Sequence, residues 1–149
     1  MKTVDLYTDG ACSGNPGNGG YCAILIYNGV EKIISGSEIE TTNNRMEILA
    51  VIKGLEALKE KCNVNVYSDS QYVVDAFNQD WIVGWQANGW RTSSKKEVKN
   101  IDLWKKLLEL NDAHVVKYIK VKGHADNEYN NRCDKIAVEE YLKLKNETL

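Results

Sequence analysis

The chain has 149 residues, 43 % of them hydrophobic, and a net charge of −2, enough apolar material for one domain that buries roughly 70 % of its unfolded surface and too little for a second core. No apolar run approaches the ~18 residues of a membrane span, and MKTVDLYTDG lacks the apolar core of a signal peptide, so the expectation is one cytoplasmic domain over residues 1–149. The near-balanced charge excludes a nucleic-acid binder that works by bulk attraction, although Arg91 to Lys106 holds six basic and two acidic residues, a local excess suited to phosphates.

In chain order, VDLYTD, GYCAILIYN and VEKIISGSEI are β-rich runs separated by glycine-containing turns, the pattern of three antiparallel strands. A helical pattern runs from about Asn44 to Lys61. NVNVYSD reads as a fourth strand, SQYVVDAFNQ as a short helix, and the Trp81–Trp90 stretch with the basic loop RTSSKKEVKN leads to a helix in NIDLWKKLLEL. VVKYIKVKG is the fifth strand; the polar loop GHADNEYNN precedes a last helix over RCDKIAVEEYLKL. Helical crossovers return parallel strands, so the order predicts an α/β domain with a five-stranded mixed sheet whose first three strands are antiparallel.

Thr8 to Gly20, TDGACSGNPGNGG, holds five of the eleven glycines and the only proline. A phosphate-binding glycine loop must open a helix, whose N-terminus supplies the amides and the positive dipole. These glycines open a strand and lack the following lysine and Ser/Thr, which leaves a hairpin connection. Cys12, Cys22, Cys62 and Cys133 form no CxxC pair and have no histidine at zinc-finger spacing, so they read as free thiols.

Four acids stand at unusual places. Asp9 ends the first strand and Asp69 the fourth; at the carboxyl ends of neighbouring strands in an open α/β sheet groups converge on a crevice, so the two could lie side by side. Either also serves a bland role, Asp9 as the start of an Asp-Gly turn, Asp69 or Ser70 as a helix cap. Glu47 lies within roughly 40° of Val51, Gly54 and Leu58 on the helical wheel, on the apolar stripe. It is coordinating something or closing a capping box with Asn44 as N-cap. Asp134, in the first turns of the last helix beside Cys133 and Ala137, reads equally as a carboxylate favoured by the helix dipole. Brought together, the four would repel and bind protons unless divalent cations relieved them, and hard oxygen ligands suit Mg²⁺ or Mn²⁺.

YTDGACSGNPGNGGYCAIL, TTNNRMEILAVIKGLEAL, VYSDSQYV, the block from Trp81 through VKNIDLW, and VKGHADNEYNNRCDKIA, in this order over roughly residues 3–140, resemble type 1 ribonuclease H in its single-domain bacterial form. The resemblance implies the ribonuclease H-like fold and a monomeric endonuclease that cuts the RNA strand of RNA/DNA hybrids with Mg²⁺, as a pair of ions for which Mn²⁺ can substitute, leaving 5′-phosphate and 3′-hydroxyl ends. Asp9, Glu47, Asp69 and Asp134 would be the metal-binding carboxylates and His124 the loop histidine that moves protons or helps product leave. Cys12, Asn15, Asn43, Asn44 and Gln71 would contact the hybrid, Thr42 a DNA phosphate, and Trp90, Lys95, Lys96 and Lys99 the DNA strand along a basic protrusion. Trp81 and Trp85, four apart on a helix, read as packing instead, and His114 as a solvated loop histidine.

The chain departs from the family pattern at Gln86-Ala87-Asn88, where relatives carry further basic residues, and at Asp126 and Asn131, where they often have glycine and glutamate. The first departure predicts weaker, less salt-sensitive hybrid binding. Two other functions remain open, a hybrid-binding module that has lost cutting and another nuclease on the same fold. The module would expect one acid to be replaced, and none is.

Overall fold

The computed structural model describes residues 1–122 and 127–147 of the chain. The elements are β1 (Thr3–Cys12), β2 (Gly17–Tyr27), β3 (Val30–Thr41), α1 (Asn43–Glu56), β4 (Asn63–Ser68), α2 (Gln71–Asn78), α3 (Trp81–Ala87), α4 (Ile101–Asp112), β5 (Val115–Lys120) and α5 (Glu128–Glu147). The sheet order is β3-β2-β1-β4-β5. β1, β2 and β3 pair antiparallel, while β1 with β4 and β4 with β5 pair parallel, so the mixed five-stranded sheet is as expected.

Alternation along the strands divides the interior in two. Val4, Leu6, Ala23 and Leu25 join α1 and the Trp104 side of α4 in the larger core. Cys22 and Ile24 face the other way and meet Cys133 and Ala137 of α5. α5 seats closely on β2 at Gly20, where a Cβ would run into the Ala137 carbonyl. That is the reason for glycine there, since a side chain would hold the helix off the sheet.

Several boundaries differ from the sequence reading. The first hairpin is longer: Asp9 pairs with Cys22 and Cys12 with Gly19, so most of the glycine-rich stretch is strand. α1 begins one residue earlier and ends at Glu56 rather than Lys61, because the chain must turn to lay Asn63 beside Thr3. Lys59 to Lys61, helix formers by propensity, are overridden by that pairing. α5 starts at Glu128, four residues before the predicted start, with Asn127 Oδ1 accepting from the Asn130 N–H at 3.0 Å. Asparagines that read as loop residues are thus a cap and a first helical turn. His114 is not simply solvated: its Nδ1 accepts the Cys62 N–H at 3.1 Å at the entrance to β4, and burial pushes its pKa down. All four cysteines are free thiols.

Candidate active site

The parallel pairing of β1 with β4 runs from Thr3 opposite Asn63 to Tyr7 opposite Tyr67. Asp9 and Asp69 each lie two residues beyond that last pair, where the strands part. β1 continues beside β2, whereas β4 ends and Ser70 caps α2, its hydroxyl accepting from the Val73 N–H at 3.2 Å. Of the two capping candidates it is therefore Ser70 that serves, and Asp69 is left facing Asp9.

Glu47 arrives from above the sheet. The capping-box reading is corrected here, since the N-cap is Thr42, not Asn44, and its hydroxyl accepts from the Arg45 N–H at 3.2 Å. With the cap shifted by two residues, Glu47 falls in the second turn and points at the strand. α1 can approach so near because position 10 is glycine: a Cβ there would lie 2.5 Å from the Glu47 nitrogen. The bare Gly10 N–H is shared by both acids, 2.9 Å from Asp9 Oδ1 and 3.1 Å from Glu47 Oε1.

Asp9 and Glu47 are 3 % and 4 % exposed, and Glu47 Oε2 has no hydrogen-bond partner among the described residues. Asp9, Glu47 and Asp69 offer carboxylate oxygens that all lie within 4.8 Å of one another. Asp134, half-buried in α5, lines the same cleft of about 450 Å³. Burial, and then the charges of Asp69 and Asp134, push Asp9 up to about 7, against the pull of its hydrogen bonds. Burial and the neighbouring Asp9 push Glu47 well above the ordinary carboxylate range. Without a cation, burial and mutual repulsion favour the protonated form of the pair; the orphaned Oε2 and the convergent hard oxygen donors fit a divalent metal, which would relieve both the repulsion and the unpaired atom.

Cys12, Asn43, Asn44 and Gln71 line the acidic cleft, together with Ser70 and Tyr72. Cys12, Asn15, Thr42, Asn43, Asn44 and Lys99 line an adjoining cleft of about 570 Å³ that Asn100 also enters. The Asn15 side chain is committed locally, its Oδ1 accepting the Asn43 N–H at 3.0 Å and tying the first hairpin to α1. Trp90, Lys95 and Lys96 line neither cleft. Trp90 packs 6.5 Å from Trp85 with Lys105 above its ring. Lys95 sits in the tight turn that closes the basic loop, its N–H bonded to the Thr92 carbonyl. Trp81 and Trp85 pack together at 6.3 Å, and Trp85 also reaches Trp104, as their spacing predicts. His124 and Asp126 lie outside the described residues. Tyr72 and Asn100 were not legible as cleft residues, because neither stands in a pattern that distinguishes it from its neighbours.

The mixed sheet and its edge of buried acids define a domain of the ribonuclease H fold. Among solved structures, LC9-RNase H1, a type 1 RNase H with the type 2 active-site motif, superposes with a TM-score of 0.86 at 27 % identity, over 96 % of this chain and 74 % of that one. LC11-RNase H1, solved in complex with RNA/DNA hybrid, shares the fold with a TM-score of 0.68 at 24 % identity, over 95 % of this chain and 98 % of that one. The family model for RNase H matches residues 1–141. A protein of Acetivibrio thermocellus named Ribonuclease H is 59 % identical over 143 residues, 96 % of this chain and 97 % of its own length. Another so named, from Caldicellulosiruptor saccharolyticus, is 62 % identical over 137 residues, 92 % of this chain and 94 % of its own. The chain belongs to the RNase H family, a family of enzymes.

Proposed function

We propose that this chain is a hybrid-specific endoribonuclease, hydrolysing the RNA strand of RNA/DNA hybrids by attack of water on the phosphodiester and leaving 5′-phosphate and 3′-hydroxyl ends. The observation that carries the reading is the buried pair Asp9 and Glu47 facing Asp69, with Glu47 Oε2 unpaired among the described residues. Buried carboxylates with no basic partner among the described residues are unfavourable for a fold by themselves, which points to a ligand. Asp9, Glu47, Asp69 and Asp134 would hold Mg²⁺, as a pair of ions for which Mn²⁺ can substitute. When bound, the cations supply the charge that activates the attacking water and stabilises the leaving oxygen.

The chain's own residues do the rest. Gly10 donates its N–H to both acids and fixes their rotamers before any ligand arrives, and such preorganisation keeps reorganisation out of the reaction step. His124 enters by family resemblance, as the group that exchanges a proton with the leaving oxygen near neutral pH. The amides of Asn43, Asn44 and Gln71 and the Cys12 thiol at the cleft wall suit the minor groove of a hybrid, where hydroxyls occur on one strand only. Lys99 and the Thr42 hydroxyl suit a DNA phosphate in the adjoining cleft. Trp90, Lys95 and Lys96 extend that contact along the basic loop. Such contacts read backbone and sugar, so cutting is largely independent of sequence. All four acids come from one chain, which suits a monomer, and no helix among the described residues is long and apolar enough to cross a membrane, which suits work in the cytoplasm.

The test offers labelled RNA/DNA hybrid, RNA duplex and DNA duplex with Mg²⁺, with Mn²⁺ and with chelator. Cleavage of the hybrid's RNA strand alone, and only with metal, is expected. Binding without cleavage would identify a hybrid-binding module, and cutting of DNA another nuclease on the same fold.

A further inference from the structure

Two local rules are broken at one point of the molecule. Arg45 stands in the first turn of α1, which contains no acidic residue, although the helix dipole disfavours a cation there. Asn100 begins α4 in the left-handed region, φ 62° and ψ 28°, yet its side chain does not cap that helix. Asparagine adopts this region more readily than other non-glycine residues, so the backbone costs little; what is set aside is the cap, because the side chain is committed elsewhere. A cation at a helix N-terminus and an asparagine that leaves its own helix uncapped meet in one contact, and that contact is the feature to explain.

That contact joins the two walls of the substrate clefts. Arg45 Nη1 and Nη2 donate to Asp102 Oδ1 and Oδ2 at 3.0 and 2.8 Å, a two-pronged pair, and Nη1 also lies 3.4 Å from Asn100 Oδ1. Asn100 Nδ2 in turn donates to the Tyr72 hydroxyl at 3.2 Å. The same hydroxyl accepts from the buried Trp104 indole at 3.1 Å. On one side of this chain of bonds is the first turn of α1, whose Asn43 and Asn44 border both clefts. On the other are Lys99 and the start of α4, anchored through Trp104 in the core.

The geometry points to Arg45 and Asp102 as positioning residues, a strut that sets the spacing between the α1 amides and Lys99 and so tunes hybrid affinity without touching the hybrid. This rests on the hybrid-nuclease reading of the clefts. A two-pronged guanidinium–carboxylate pair fixes direction as well as distance, which a lone lysine could not. Half of its surface is wet, with the Arg45 side chain 31 % and that of Asp102 63 % exposed, so its contribution to stability is small. Its consequence is for the alignment of Lys99, and alignment errors act on binding.

The strut predicts a sign opposite to simple electrostatics. Asp102 is a negative charge beside a cleft meant for phosphates, so removing it should tighten hybrid binding if charge alone mattered. Hybrid affinity in chelator, and KM and kcat with Mg²⁺, are measured for wild type, Asp102→Asn, Arg45→Gln, the double variant and Asp102→Glu. Each single variant is expected to weaken binding and raise KM about fivefold, the equivalent of ~1 kcal/mol, with kcat within about twofold, which also shows that the fold survives. The double variant should be no worse than either single, because both break the same contact. Asp102→Glu, which keeps the two-pronged acceptor, should recover most of the affinity. Log affinity against log salt should keep its slope in Arg45→Gln, since no phosphate contact is lost.

Unchanged or tighter binding by Asp102→Asn would overturn the strut while leaving the nuclease reading intact. A salt slope reduced by about 0.7–0.9 in Arg45→Gln would overturn it in favour of a direct phosphate contact. A wild type that neither binds nor cuts the hybrid would overturn the nuclease reading itself, and this role with it.

Discussion

Replacing Asp9 by asparagine should make the metal-free protein more stable while removing its activity. The carboxyl is raised from 3.8 to about 7, chiefly by burial. At ~1.4 kcal/mol per unit, that shift of about three units is an upper bound near 4 kcal/mol on the strain of ionising Asp9 in the fold. Because the folded value lies above the unfolded one, folded and unfolded chains are equally protonated below about pH 4. Between about 4 and 7 the unfolded chain binds fewer protons, so wild-type stability falls as pH rises, and it levels off above about 7. Asparagine keeps an oxygen for the Gly10 N–H and never ionises. Its advantage over wild type should therefore grow from near zero at pH 4 to about 2–4 kcal/mol at pH 8, or roughly 5–15 °C in Tm for a chain of this size. Urea and thermal unfolding in EDTA at both pH values measure it directly. Adding Mg²⁺ should raise the Tm of wild type at pH 8 more than that of the variant, by mass action on the folded state. Equal stability of the two proteins at pH 8 without metal would refute the claim that the acidic cleft is strained.

Other perturbations probe other parts of the site. Glu47→Gln should abolish Mg²⁺-dependent turnover with a folded circular-dichroism spectrum, and near-normal rates would remove Glu47 from the metal site. His124→Ala should slow turnover without ending it and alter the pH–rate profile; an unchanged profile would exclude it as a proton carrier. Gly10→Ala places a methyl 2.5 Å from the Glu47 nitrogen, so α1 must lift from β1. A loss of about 1–3 kcal/mol in urea unfolding is expected, with kcat falling further than stability alone explains. Lys99→Ala should weaken hybrid binding evenly across sequences and reduce the salt slope by about 0.7–0.9, whereas an unchanged slope would mean that Lys99 touches no phosphate.

Much of this was legible before the fold was seen. Alternation and turn residues marked five strands, because a half-buried strand repeats every two residues whatever it pairs with. The spacing of Glu47 on an apolar stripe marked it as an acid out of place. Its partner was not visible: the capping-box pattern from Asn44 to Glu47 is a sound local signal, and it was overruled because Thr42 captured the cap and Gly10 offered its N–H across 37 residues. The glycines of the first hairpin likewise read as a flexible loop, although Gly10 and Gly20 serve helices that arrive from far along the chain.

The sequence by itself determined the strand and helix types and singled out four acids as candidates, since periodicity and residue chemistry are local properties. Only the tertiary structure decided which groups meet. The β1–β4 register sets Asp9 against Asp69, a missing Cβ lets Glu47 down onto the Gly10 N–H that Asp9 also uses, and the Arg45 side chain reaches from α1 across to Asp102 of α4. The physical reason is that burial and charge repulsion arise between segments, so the strain that marks this site exists only once the sheet has brought its acids together.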